Sequence, residues 1–426
     1  MPHSLLTLNY DVLSHILPLL SPHNAAQLAL ASRAAYALAF PRIISDVSLG
    51  GLYHKPGGSA LSQLTAFCNF VLAPAPAWHG PPSARIDALQ SLHVMRDAVR
   101  VRKNGVWTVG PSAAALLSSV IARARNLQKL TLWGSDALFA AYPDFGTSSS
   151  ASIHTLVLGG DVPPMPVLAR AFPHVRAVQL IAVGGSCAPD WAVFAAANDV
   201  CGDTERTAWS SLDRIDTGFP VLPLARPVRR VDMRNPLVSE TDVLFCAREF
   251  LRRTRPVVLS VSASADLAEE DLCAVLDAEA VAPGLRFLDL VGDRCKGVAE
   301  GTDWVTRVAN ALSTLQAPLL GLALSVTPSI PHMHIPTSSK SSYELVPAPT
   351  ANTESIDLAA LARTVAEHAP SLRLVVLDLS AAPGAAAGEK AWFRAYDVGS
   401  ERRVVRLGAA EGRQAEDVMR AFNRWD

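Results

Sequence analysis

The chain has 426 residues, half of them apolar, and a formal net charge of −1. That length exceeds one ordinary globular core and points to two domains or an elongated repeat array. The near-neutral balance excludes the basic footprint of a general nucleic-acid binder, and no apolar run approaches the roughly 18 residues of a membrane span.

The opening stretch, "LTLNYDVLSHILPLLSPHNAAQLALASRAAYALAFPR", places Leu8, Val12, Leu13, Ile16, Leu17 and Leu20 at steps of one, three and four. This is a helical apolar stripe. "SPHN" then resets the chain: Ser21 is placed to cap a second helix with Pro22 in its first turn. Leu28, Leu30 and Ala31 continue the pattern, Ser32-Arg33 leads into Tyr36, and Pro41 is expected to stop the run. So short a helical block cannot bury this much Leu, Ile and Val by itself, so either the rest of the chain or another protein must cover it. No Lys or Arg precedes Leu5, and Asp11, His15 and Pro18 interrupt the apolar run, so it does not read as a signal peptide.

Beyond residue 86 one pattern recurs, apolar-x-x-apolar-x-apolar. It runs through Leu89/Leu92/Val94, Leu127/Leu130/Leu132, Ile153/Leu156/Leu158, Val175/Val178/Leu180 and Leu212/Ile215/Thr217. It continues through Val228/Val231/Met233, Pro256/Leu259/Val261, Leu285/Leu288/Leu290, Leu319/Leu322/Leu324 and Leu374/Leu377/Leu379, at irregular spacing. The last two positions of each unit alternate around one residue, as a strand with one buried face requires. Helical patterns fall between units, among them 111–125, 239–253, 266–281 and 355–369. A short strand, a helical return and another short strand in series predict an α/β solenoid with a parallel sheet.

Residues 327–354, rich in Ser, Thr and Pro and without period, are expected to form an exposed, disordered insertion. After Ala381, "KAWFRAYDV" and "ERRVVRLGA" predict a strand pair, and "EGRQAEDVMRAFNRWD" an amphipathic helix that caps the last repeat.

No hydrolase elbow, zincin, dinucleotide or phosphate-loop motif occurs, so no catalytic residue and no cofactor is assigned. His332 and His334 in "HMH" lack a third ligand and make a poor metal site, so no metal is assigned either. Cys68, Cys187, Cys201, Cys246, Cys273 and Cys295 contain no Cys-x-x-Cys pair and read as reduced thiols of an intracellular protein, cytoplasmic or nuclear.

In a parallel solenoid the residue between the last two apolar positions of each unit is expected to point outward from the strand face. These are His93, Thr131, Val157, Gln179, Asp216, Asp232, Ser260, Asp289, Ala323 and Asp378, with Trp133 on the same face. Asp216 and Asp232 are expected as cross-strand neighbours flanked by Arg214, Arg230 and Arg234. Such a mixed stripe suits recognition of a polar or charged peptide. It reads equally well as a solvated face whose charges pair with each other.

The order Leu8, Asp11-Val12-Leu13, Ile16-Leu17, Leu20, then Leu28, Leu30-Ala31-Ser32-Arg33 resembles an F-box, with Asn9 where that family usually has Pro. The repeated unit resembles the leucine-rich repeat. Together with "WSSLDRIDTG" and "LARPVRRVDMR" the chain is similar to fungal F-box proteins with degenerate leucine-rich repeats. The resemblance implies an F-box at 5–45, a connecting segment at 46–85, a solenoid at 86–380 and a C-terminal cap at 381–426. It further implies a substrate-recognition subunit of a cullin-based (SCF-type) ubiquitin ligase that is not itself an enzyme. Leu8, Val12, Leu13, Ile16, Leu17, Leu20, Leu28, Leu30, Ser32 and Arg33 would then dock on a Skp-family adaptor, and the repeats would hold an unidentified protein target, without nucleic acid or membrane. The competing expectation is an interaction scaffold whose N-terminal helices only cap the solenoid. Exposure of the stripe Leu13, Ile16, Leu17 and Leu20 separates the two.

Overall fold

The computed structural model describes residues 9–50, 59–73, 84–103, 106–147, 153–160, 162–181, 209–218, 224, 226–276, 284–295, 298–315, 318–328, 357–379 and 390–422. The chain divides into two compact units, Met1–Leu212 and Asp213–Asp426.

The first unit opens with α1 (Tyr10–Ile16), a 3₁₀ turn (Leu17–Leu19), α2 (Pro22–Ala29) and α3 (Arg33–Ile44). Local chemistry sets each start. Asn9, Ser21 and Ser32 accept backbone N–H bonds from Asp11, Asn24 and Ala35, and Pro22 fills the first helical position of α2 without losing a bond. Pro41 does not stop α3 as expected; the helix carries it inside and runs on to Ile44. The lost N–H bond is offset by burial of Phe40 and Ile44 and by Arg42, whose Nε donates to the Leu20 carbonyl at 2.8 Å.

Strand β1 (Asp46–Leu49) follows α3 directly and pairs in parallel with β2 (Ser91–Val94). The segment 46–85, expected to be a connection, therefore supplies the first strand, followed by α4 (Ala60–Leu72) and α5 (Ala84–Asp87). Ile44, Val47 and Leu49 carry the same apolar-x-x-apolar-x-apolar spacing, and Val47 and Leu49 align with Leu92 and Val94. After α6 (Arg96–Val99) comes a separate hairpin, β3 (Arg100–Lys103) and β4 (Val106–Val109). Then follow α7 (Pro111–Arg123), β5 (Lys129–Trp133), α8 (Ser135–Ala141), β6 (Thr155–Gly159), α9 (Met165–Ala171) and β7 (Ala177–Ile181). Strands β1, β2, β5, β6 and β7 pair in that order, all parallel.

The second unit contains β8 (Arg214–Thr217), β9 (Arg230–Leu237), α10 (Thr241–Thr254), β10 (Val258–Ser264), α11 (Glu269–Val275) and β11 (Phe287–Cys295). Next come α12 (Val298–Thr314), β12 (Gly321–Pro328), α13 (Leu358–His368) and β13 (Leu374–Asp378). The chain then forms β14 (Ala391–Val398), β15 (Glu401–Arg406) and α14 (Ala409–Arg420). Strands β8 to β13 are parallel and follow chain order, and β14 and β15 add antiparallel. The expected C-terminal strand pair is this hairpin. Thr327 and Pro328 belong to β12, so the Ser/Thr/Pro-rich segment starts later than expected; its remainder, 329–354, lies outside the described residues.

The repeated apolar positions form the core. Leu89, Leu92, Leu127, Leu130, Leu156, Ile215, Val231, Leu259, Leu288 and Leu322 are each fully buried, worth about 1.5–3 kcal/mol apiece against exposure. One unit needs re-registering. Leu322 and Leu324 pair with Val375 and Leu377, so the last unit is Leu372/Val375/Leu377, two residues earlier than expected. The residue aligned with Ala323 is Val376, not Asp378. A slip of two preserves both faces of a strand, so apolar alternation alone does not separate the registers. Among the described residues no helix is long and apolar enough to cross a membrane.

Candidate functional site

The N-terminal helices bury a small core of Ala25, Ala29 and Ala39, against which Leu20, Leu28, Tyr36 and Ile43 pack. Small residues at these positions let α2 and α3 approach closely, and Tyr36 stacks on Phe40 with ring centroids 5.3 Å apart. Of the expected adaptor contacts, Leu8 lies outside the described residues. Leu13 is buried, and Ile16, Leu17, Leu20 and Leu28 are half-buried, so the stripe chosen as the discriminator is not the exposed one. Among the described residues of these helices, the uncovered large apolar side chains are Leu19, Leu30 and Val12, at 85%, 81% and 44% exposure. Ser32 and Arg33 are exposed as well, but the Ser32 hydroxyl is engaged in capping α3. Leu19 escaped the sequence reading because Pro18 turns the chain into a 3₁₀ step, where the 3.6-residue period no longer says which side faces out.

The Asp/Arg stripe assembles as expected from the register, with Arg214 opposite Arg230 and Asp216 opposite Asp232. Its electrostatics differ from a solvated face. Both aspartates are buried, at 5% and 7% exposure, and burying a bare carboxylate is costly. Three guanidiniums compensate. Asp232 receives Arg214 at 2.8 Å and Arg230 at 3.0 Å; Asp216 receives Arg234 at 2.5 Å, with Arg214 a further 3.8 Å away. The second oxygen of Asp216, Oδ1, is buried without a hydrogen-bond partner. The arginine heads keep solvent contact, Arg214 and Arg234 about half-exposed. The stripe is thus two half-exposed cations, Arg214 and Arg234, and the more covered Arg230 over two buried anions.

Further along the same row lies a feature the sequence reading placed elsewhere. Helix α14 does not close the end of the array; it folds back over the strand face. Ala415, Met419 and Phe422 pack on a cluster of Val258, Phe287, Ala323, Leu374, Val376 and Trp392. Gly412 sits where any side chain would strike Trp392, so a glycine in mid-helix here buys the close approach. Buried Glu416 accepts from Lys390 at 2.9 Å, from Trp392 Nε1 at 2.8 Å and from Arg420 at 2.9 Å. Arg420 reaches on to Asp289 at 2.8 Å, and Asp289 also accepts from Ser260 at 3.1 Å. At the helix end Arg229 donates to the Arg420 and Phe422 carbonyls at 3.3 Å each, satisfying groups a helix terminus leaves open. Burial pushes the Glu416 carboxyl up, but the bonds from Lys390, Trp392 and Arg420 outweigh it and hold the group below the ordinary carboxylate range. The amphipathic pattern of 411–426 was legible; its landing place was not.

Cys68 is buried, Cys246 is half-buried, and Cys273 lies within reach of the Ala311 carbonyl and the Thr314 hydroxyl. Burial pushes Cys68 up to about 12, and Cys246 is raised by burial and by Asp242, the opposite of an activated nucleophile. Among the described residues no group of three or more His, Cys, Asp and Glu could hold a metal ion; His332 and His334 lie outside them. No protein-family model matches the chain, and no curated protein matches it in sequence.

Proposed function

We propose that the chain is a non-catalytic recognition protein, the substrate-recognition subunit of a cullin-based (SCF-type) ubiquitin ligase. Its N-terminal helices act as an F-box on a Skp-family adaptor, and its strand-and-helix units act as a leucine-rich-repeat-like solenoid that holds the target. The observation that carries this reading is the pair Leu19 and Leu30, more than four-fifths exposed on a helical module whose own core is already closed. Large apolar side chains left uncovered beside a finished core mark a surface meant for another protein. Parallel strands taken in chain order, with a helix returning between β10 and β11, β11 and β12, and β12 and β13, support the solenoid reading. The exposed heads of Arg214 and Arg234 remain candidates for target contact, with Arg230. Asp216 and Asp232 serve as their buried counter-charges. Such a protein makes no bond itself; it raises the effective concentration of target lysines near a conjugating enzyme. Cys68, Cys246 and Cys273 are free thiols, which fits a reducing, intracellular setting.

A second reading, an interaction scaffold whose helices only cap the solenoid, is favoured by two observations. Leu13 is buried and β1 follows α3 without a linker, so the helices are built onto the first strand. Co-purification with a Skp-family adaptor and a cullin separates the two. Wild-type capture abolished by Leu19→Asp and Leu30→Asp supports the first reading; no capture by the folded wild type leaves the scaffold.

A further inference from the structure

Helix α14 leaves an open groove of about 500 Å³ beside β13 and β14. Its floor is apolar, formed by Leu374, Ala395, Ala415 and Met419, and Tyr396 and Val418 stand at its walls. Val418 is 56% exposed and Tyr396 36%. Val405, also exposed, lies opposite Arg394 in the β14–β15 register and extends the patch. These side chains lie where α14 already covers the neighbouring face, so folding had apolar cover at hand and left this strip open.

The rim is basic. Arg373 and Arg394 line the groove, and Arg403 stands opposite Tyr396. Residues 390–406 carry five basic side chains against two acidic ones in a chain whose overall charge is −1. Glu411 meets Arg394 at 2.8 Å, but both are about half-exposed, and such a pair contributes little and yields readily to another carboxylate. Arg403 likewise pairs with exposed Glu401, at 3.1 Å. An aromatic wall, apolar floor and arginine rim match what anchors a peptide through one or two apolar side chains and selects it by charge.

We propose that this groove is a docking site for an acidic peptide segment of a partner protein, bound with an apolar side chain against Tyr396 and Val418 and carboxylates on Arg373, Arg394 and Arg403. The site stands whether or not the N-terminal helices dock on an adaptor. The test is fluorescence anisotropy on the full chain. The probe is a labelled octapeptide with six Glu around a central Phe-Leu pair; controls are its Lys counterpart and a single-stranded oligonucleotide of equal charge. The expected result is saturable binding of the Glu peptide, weakened at least tenfold by Val418→Asp and by Arg373→Glu, each with an unchanged melting temperature, and by added salt. Absence of saturable binding, equal binding of the Lys peptide, preference for the oligonucleotide, or indifference to both substitutions overturns the proposal. A concentration-dependent dimer abolished by Val418→Asp would assign the groove to a second copy of the chain and also overturn it.

Discussion

Arg420 reaches from the last helix to Asp289 on β11 at 2.8 Å, and the same guanidinium holds Glu416 one helical turn back. One side chain therefore neutralises two buried carboxylates and ties α14 to the strand face. Arg420→Gln leaves Asp289 with Ser260 and is expected to cost about 2–4 kcal/mol, somewhat below the roughly 3–5 kcal/mol for breaking a fully buried ion pair because the Arg420 side chain keeps some solvent contact. Urea unfolding would show the loss, and amide exchange over 409–420 should rise before that of the strands beneath.

The Glu416 carboxyl is held low in the folded chain, so its contribution is present above the ordinary carboxylate range and is lost as pH falls through the folded value. Glu416→Gln should therefore be less stable than wild type at neutral pH, with the difference shrinking as the solution is acidified below the usual carboxylate range. Melting curves of both proteins across that window test the sign; a gap that widens on acidification contradicts it.

Leu13 and Leu19 are six residues apart yet should respond in opposite ways. Leu13→Asp places a carboxylate in a buried site and is expected to destabilise the first unit by several kcal/mol, of order 3. Leu19→Asp and Leu30→Asp alter exposed positions and should stay within about 0.5 kcal/mol of wild type. Thermal melting separates the folding effect, and adaptor capture then reads the surface effect alone.

Reversing Arg230 and Arg234 to Glu would be harmless on a solvated face. Here it sets new carboxylates against buried Asp232 and Asp216. The double variant is expected to lose about 2–3 kcal/mol, less than a fully buried pair because the arginine heads are partly solvated. Adding Asp216→Asn and Asp232→Asn should restore part of the melting temperature, an outcome a purely solvated stripe would not give.

Most strands of the main sheet and the longer helices were legible because they rest on local chemistry. A side chain every second residue must face one way in a strand, and Ser21 caps the helix that follows it. The same pattern at Ile44, Val47 and Leu49 was hidden because Ile44 also ends a helix, so one residue serves two periods. The adjacency of Asp216 and Asp232 was legible too, since it needs only two units aligned on their apolar positions.

Burial and partner choice were not, because they depend on what arrives from a distance. Leu372, Leu374, Leu377 and Leu379 satisfy two registers equally, and only pairing with β12 selects one. The apolar stripe of 411–426 required a cover, but nothing within those residues says whether that cover is the end of the array or its face. The choice rests on Glu416, which meets Lys390 and Trp392, and on Arg420, which meets Asp289 more than a hundred residues upstream. Sequence alone determined the repeating strand-and-helix grammar of this chain, since each unit is specified by its own residues. Which charges are buried, which apolar side chains stay open, and where the last helix lies were decided by tertiary structure, because solvent exposure belongs to the assembled surface and to no residue singly.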